Sequence, residues 1–306
     1  MTRRAILVSA TLASLALIGG VFVWQRARPA PAPVAAPVSV ARIPATATLL
    51  ETSHYRVHST ATPAQTRQVA DAVESLHTAY MTLFADQVRP SSRPLTLVLY
   101  ADREEFQRNN RSRPWAEAYY LRPACYAYYG GDGRENPHHW MLHEAVHQLN
   151  TEVAGWRLPA WANEGVASYL GASWLEDGVL TPGRSDPDTY PIWWLSRMEL
   201  TGSLQADVAA VRFIPLRALL EGQGPDINQH VNLYYLHYWG LTHFLFQYEN
   251  GRYAAAYKQL LARGAWTADF ERLIGPVEEI ERAWYAYLLD AIATMQKYEE
   301  KNGIER

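Results

Sequence analysis

The residues best placed to do chemistry lie in one short run, His143-Glu144-Ala145-Val146-His147. In a helix, imidazoles at i and i+4 fall about 40° apart around the axis and one turn apart along it, so both can reach one metal ion. Glu144 is turned by about 100° from His143, which sets its carboxylate beside such an ion, where it can take a proton from an attacking water. With ten histidines in 306 residues, an accidental match to this pattern is on the order of a few per cent, so the pentad alone is only suggestive. A catalytic zinc takes three protein ligands and keeps one position open. Glu164, with sixteen residues between it and His147, is the candidate third ligand: Pro159 ends a loop, and Glu164 stands in the first turn of a return helix. A glutamate that merely complements the helix dipole suits the position equally well; beside the pentad, the ligand role prevails.

These side chains need a helix, a return helix and a scaffold. Asn136-Pro137 predicts a helix start, an Asn cap followed by Pro at the first helical position, and the segment runs without breakers to about Asn150. Upstream, Ser53 to His58 alternates like a strand, Pro63 opens a helix with an apolar stripe through Val69, Val73, Leu76 and Tyr80, and Pro94 to Tyr100 reads as a second strand. Asp102 caps a short helix, and Ala118 to Leu121 and Cys125 to Tyr129 give two more strands. Downstream the pattern is helical: Asn163 to Leu170, Pro215 to Leu220, a long apolar helix from Asn228 to Tyr248, Tyr253 to Arg263, and a final helix from Pro276 to about Tyr298. The expected fold is α+β, a small mixed α/β lobe followed by a mainly helical one.

The run His143 to Leu149, followed by Leu158-Pro159, Trp161, Asn163-Glu164-Gly165, Ala167 and Tyr169, resembles the gluzincin zinc metallopeptidases, particularly their peptidase-MA-like group. A weaker likeness extends upstream through Tyr55-Arg56-Val57, Leu95 to Tyr100 and Asp102 to Phe106, and downstream through Tyr235, Trp239 to Leu241 and His243 to Leu245. The resemblance implies a zincin-like fold with its cleft below an edge strand, Zn2+ on His143, His147 and Glu164, Glu144 as the base that activates water, and a protein or peptide substrate. It also implies a donor to the oxyanion, for which Tyr235 and His243 are candidates with core packing as the competing role. Several gluzincins carry an Asp four residues after the ligand Glu to orient a zinc histidine; this chain has Ser168 there, which supplies no charge. Two alternatives use the same residues: a non-hydrolytic zincin-fold binding protein, and a hydrolase of a non-peptide or cell-wall amide. Glu144 argues against the first, since a structural zinc site closes with a fourth protein ligand and needs no carboxylate beside a water.

Composition narrows the remainder. A net charge of −3 gives no global field for nucleic acid, and 48% hydrophobic with 19% charged residues describes a folded protein. The one cysteine, Cys125, cannot build a cysteine metal site and is expected as a buried structural thiol. Ala5 to Gln25 carries no formal charge and as a helix spans about 30 Å, one hydrocarbon core. Residues 1–28 are therefore expected as a membrane anchor with the body outside the cytoplasm, periplasmic or at the cell surface; a cleaved signal peptide, giving a secreted protein, is the alternative. The Pro/Ala-rich stretch 29–47 reads as a linker and 48–306 as the catalytic domain. His138 is expected to be solvated, and His139 to stand outside the ligand set. Trp156, Trp161, Trp174, Trp193 and Trp194 either line a cleft or fill a core.

Overall fold

In the computed structural model, which describes residues 43–110, 116–130 and 136–304, the first half of the domain forms a five-stranded mixed sheet. Strands β1 (Thr48–Glu51), β2 (Tyr55–Ser59), β3 (Leu95–Tyr100), β4 (Ala118–Leu121) and β5 (Ala124–Tyr128) are interleaved with helices α1 (Pro63–Leu83) and α2 (Arg103–Asn109). The spatial order is β1-β2-β3-β5-β4. The inner strands β2, β3 and β5 run parallel, while β1 and β4 pair antiparallel at the two edges. Because side chains alternate along a strand, β3 divides its apolar residues between two cores. Leu95, Leu97 and Leu99 join the large core with α1, and Val98 and Tyr100 meet Phe106 of α2 on the other face. Helix α1 opens with a capping box, Thr62 accepting from the Gln65 amide while Gln65 returns a bond to the Thr62 amide, with Pro at the first turn.

Beyond β5 the chain is helical apart from one hairpin among the described residues. Helix α3 (His139–Gln148) continues into a π-helical turn, Leu149–Val153, and is followed by α4 (Ala160–Gly171) and the hairpin β6 (Ser173–Glu176) and β7 (Val179–Ser185). Then come α5 (Leu204–Ala209), α6 (Leu216–Glu221), α7 (Val231–Gln247), α8 (Ala254–Ala262), α9 (Thr267–Leu273) and α10 (Val277–Asn302). Mixed sheet first and helices after is the α+β layout expected from the sequence.

Two local expectations change, and a hairpin is added. Asn136 does not cap α3, which starts at His139 without a side-chain cap; Asn136 instead donates through Nδ2 to Asp186 at 3.0 Å. Helix α4 begins at Ala160, so Glu164 lies in its second turn rather than its first. The hairpin turn at Asp177 and Gly178, with φ of 49° and 76°, is the left-handed pair that a two-residue hairpin loop requires.

The expectation of a transmembrane helix is corrected here. No helix among the described residues is long and apolar enough to cross a membrane, and the segment Ala5 to Gln25 on which that expectation stood lies outside the described residues, as do residues 29–42 of the expected linker.

Candidate metal centre

Helix α3 and its π-helical extension are fastened to the sheet by polar contacts at Glu144, Gln148 and Glu152. Cys125 Sγ, buried in β5, donates to the Glu144 carbonyl at 3.2 Å. Burial pushes that thiol well above its ordinary pKa, with the Glu144 and Glu152 charges adding to the effect, so Cys125 is the inert structural thiol expected. The side-chain amide of Gln148, next to His147, donates to the carbonyls of Thr96 at 3.1 Å and Pro123 at 2.7 Å. From the π-helical turn, Glu152 accepts from the Tyr120 hydroxyl at 2.6 Å and pairs with Arg122 at 2.9 Å. The backbone amide of Tyr120, on the edge strand β4, lies near enough to the Glu144 carboxylate to favour its charged form.

Helix α4 brings Glu164 to α3 through two glycines. A Cβ on Gly165 would stand 2.3 Å from Thr242 Oγ1 and 2.8 Å from the Tyr238 carbonyl oxygen on α7, and one on Gly171 would stand 3.0 Å from His143 Cα. The close approach of α7 and α3 to α4 therefore depends on missing side chains. Gly165→Ala is expected to cost about 1–3 kcal/mol by overpacking. Thermal unfolding is the readout, and an unchanged melting temperature would mean that α7 yields freely at this contact.

The result is a triangle of ligand atoms. His143 Nε2 lies 3.2 Å from His147 Nε2 and 3.3 Å from Glu164 Oε2, and His147 Nε2 lies 3.5 Å from Glu164 Oε2. Tetrahedral ligands on zinc bonds of about 2.0–2.2 Å stand roughly 3.3–3.5 Å apart, so the triangle has the size of one face of such a site. Among the described residues these three form the group that can hold a metal ion. The donor set of two imidazoles and one carboxylate is that of a catalytic zinc.

The electrostatics follow from crowding. Burial alone would depress the His147 pKa, but the charge and hydrogen bond of Glu164, helped by Glu144 and Asn163, outweigh it and raise the imidazole to about 9. Burial would raise the Glu164 carboxyl, yet the two histidines hold it well below the usual carboxylate range. Glu144 goes the other way: its desolvation, together with the Glu164 charge, exceeds the pull of the histidines and the Tyr120 amide, and its pKa is raised. A carboxylate so placed is a stronger base than one in water.

Of the two oxyanion candidates, the fold brings one to the site. Tyr235 on α7 has its ring centroid 6.2 Å from that of His143 and its hydroxyl within the electrostatic reach of Glu164. Burial, then the Glu164 charge, raises its hydroxyl far above an ordinary phenol, so it stays a donor. His243, two turns farther along α7, has its ring nitrogens at the Tyr287 hydroxyl, 2.7 Å, and the Gly183 carbonyl, 3.0 Å, away from the triangle. Ser168 is buried with its hydroxyl unbonded and orients neither imidazole. His138 is buried rather than solvated, and His139, also buried, bonds the Asn136 carbonyl through Nδ1.

One neighbour was not singled out in the sequence. Tyr190 stacks obliquely near Tyr235, with centroids 5.2 Å apart, and bonds Asn232 through its hydroxyl; an isolated tyrosine in a loop carries no pattern to mark it. The tryptophans divide: Trp161 packs in the core against Tyr257 and Phe270 and Trp156 against Phe84, whereas Trp174, Trp193 and Trp194 each border an open recess. No protein family matches the chain, and no curated protein matches its sequence.

Proposed function

We propose that the chain is a zinc-dependent hydrolase of peptide bonds with a zincin-like fold of gluzincin type. The observation that carries this reading is the triangle of His143, His147 and Glu164, with sides of 3.2, 3.3 and 3.5 Å, set beside a glutamate that is not part of it. The position of α3 beneath the antiparallel edge strand β4 supports the zincin-like fold, since β4 offers an extended substrate an unpaired strand edge.

When bound, zinc supplies a Lewis acid that polarises the scissile carbonyl and lowers the pKa of water toward about 7. Glu144 takes the proton of the attacking water and returns it to the departing amine, a role suited to its raised pKa and its anchored place on α3. Tyr235, kept protonated, donates toward the carbonyl oxygen as charge develops there. The edge of β4 aligns the peptide so that the scissile bond faces Glu144.

The reading is tested on the purified protein by elemental analysis and by cleavage of an unstructured protein such as casein. About one zinc per chain is expected, with cleavage stopped by a chelator and restored by added zinc. A protein without zinc after supplementation, or one whose cleavage ignores the chelator, would sink it.

A further inference from the structure

A recess of about 450 Å³ opens at the start of α3, one helical turn ahead of His143. His139 and Trp140 line it and precede His143 by four and three residues, which places them about 5–6 Å along the same side of the helix. An aromatic path joins the recess to the metal-facing residues. Centroids step from His143 to Tyr235 at 6.2 Å, to Tyr190 at 5.2 Å, and on to Trp140 and Trp193 at 5.9 Å each.

The walls and the floor differ in chemistry. Trp140, Trp193 and Tyr129 are each half-buried at the margin and offer ring surface. Below them Arg103 forks onto Glu117 with bonds of 2.7 and 2.6 Å, and the Tyr128 hydroxyl donates to Glu117 at 2.7 Å. A purely apolar side chain in this space would strip water from the Arg103–Glu117 pair without replacing its hydrogen bonds. Glu117 is taken up by Arg103 and Asp102, the other carboxylate of the lining, by the Glu105 amide at the start of α2, so a cation would meet Arg103 with both carboxylates engaged, and an anion would meet the carboxylates. A neutral ring carrying several hydroxyls answers both, donating to the carboxylate, accepting from the guanidinium, and laying its C–H face on an indole.

We propose that this recess binds a sugar ring, so that the substrates are peptides carrying carbohydrate close to the scissile bond. The sugar site stands on the recess alone; only its place in a substrate rests on the hydrolase reading. The carbohydrate can be a glycan chain bearing peptides or a single sugar on a peptide side chain, and two probes separate them. One is a β-1,4-linked N-acetylglucosamine disaccharide, the other a short peptide with one N-acetylgalactosamine on threonine.

Tryptophan fluorescence and saturation-transfer NMR on the intact protein are expected to show dissociation constants of about 1–10 mM or tighter for at least one probe. Binding should be the same with and without chelator, which keeps the result independent of whether the protein hydrolyses anything. Trp193→Ala is expected to weaken binding at least about tenfold. Arg103→Ala, at a half-exposed side chain, should weaken it as well and serves if the tryptophan variant does not fold. Failure of both probes to bind at about 20 mM, or binding that survives both substitutions, would overturn the proposal.

Discussion

Glu144→Gln is expected to reduce peptide hydrolysis by about 10²- to 10⁴-fold, the usual contribution of a positioned general base, while leaving the zinc content unchanged. The substitution is close to isosteric. The Cys125 contact goes to the backbone carbonyl of residue 144, which the change does not touch. What is lost is the ability to accept a proton. Both kcat and kcat/KM should fall together, since the interaction removed exists only on the way to the transition state. Removing a carboxylate with a raised pKa from this enclosed place also relieves desolvation, so the variant is expected to unfold no earlier than the wild type. Activity within about tenfold of the wild type would take the base role away from Glu144.

How far the sequence could be read depends on the range of the interaction involved. The pairing of His143 with His147 is local: a helical period alone brings them together, and their Nε2 atoms stand 3.2 Å apart. Glu164 was legible for nearly the same reason, because a short loop between two helices leaves few ways for them to pack. Tyr235 and His243 show where local reasoning stops. Eight residues apart on one helix, they are separated by about 12 Å along its axis, so only one of them can reach the triangle of His143, His147 and Glu164. The choice between them is made by the packing of α7 on α4 through Gly165, a contact no periodicity displays. The hairpin was missed although Asp177-Gly178 is a strong turn signal. Its second strand contains Pro182 and Gly183, which interrupt the alternation by which strands are recognised. At the start of α3, Asn136-Pro137 has the residue types of a helix start, but the helix begins only at His139; the Asn136 amide Nδ2 donates to Asp186, fifty residues away, while Oδ1, the atom a cap would use, is buried without a partner among the described residues. The recess of Trp140 and Trp193 joins α3 to a distant 3-10 helix, Ile192–Arg197, and nothing in the spacing of the tryptophans sets Trp193 apart from the buried Trp161.

His147→Ala and Glu164→Ala are both expected to abolish stoichiometric zinc, because each leaves two ligands where a catalytic site needs three. The metal-free proteins carry further information. In the wild type, His147 is raised from 6.5 to about 9 mainly by Glu164, against the opposing effect of burial. A raised pKa of this kind adds up to about 3 kcal/mol of stability. The sign follows from linkage: the contribution is fully present below the unfolded value of 6.5 and is lost as pH rises through about 9. Glu164→Ala removes the source of the shift, and burial then favours the neutral imidazole. Near neutral pH the metal-free variant should therefore unfold at lower urea than the metal-free wild type, and the gap should narrow above pH 9, where the wild-type imidazole is also neutral. A structural role for Glu164, such as complementing the dipole of α4, predicts no such convergence, since a carboxylate near a helix N-terminus keeps its charge throughout that range. Zinc retained at one per chain in both variants would place the metal elsewhere. A gap constant with pH would show that Glu164 and His147 are not coupled, and would count against the 3.5 Å approach of their ligand atoms on which the triangle depends.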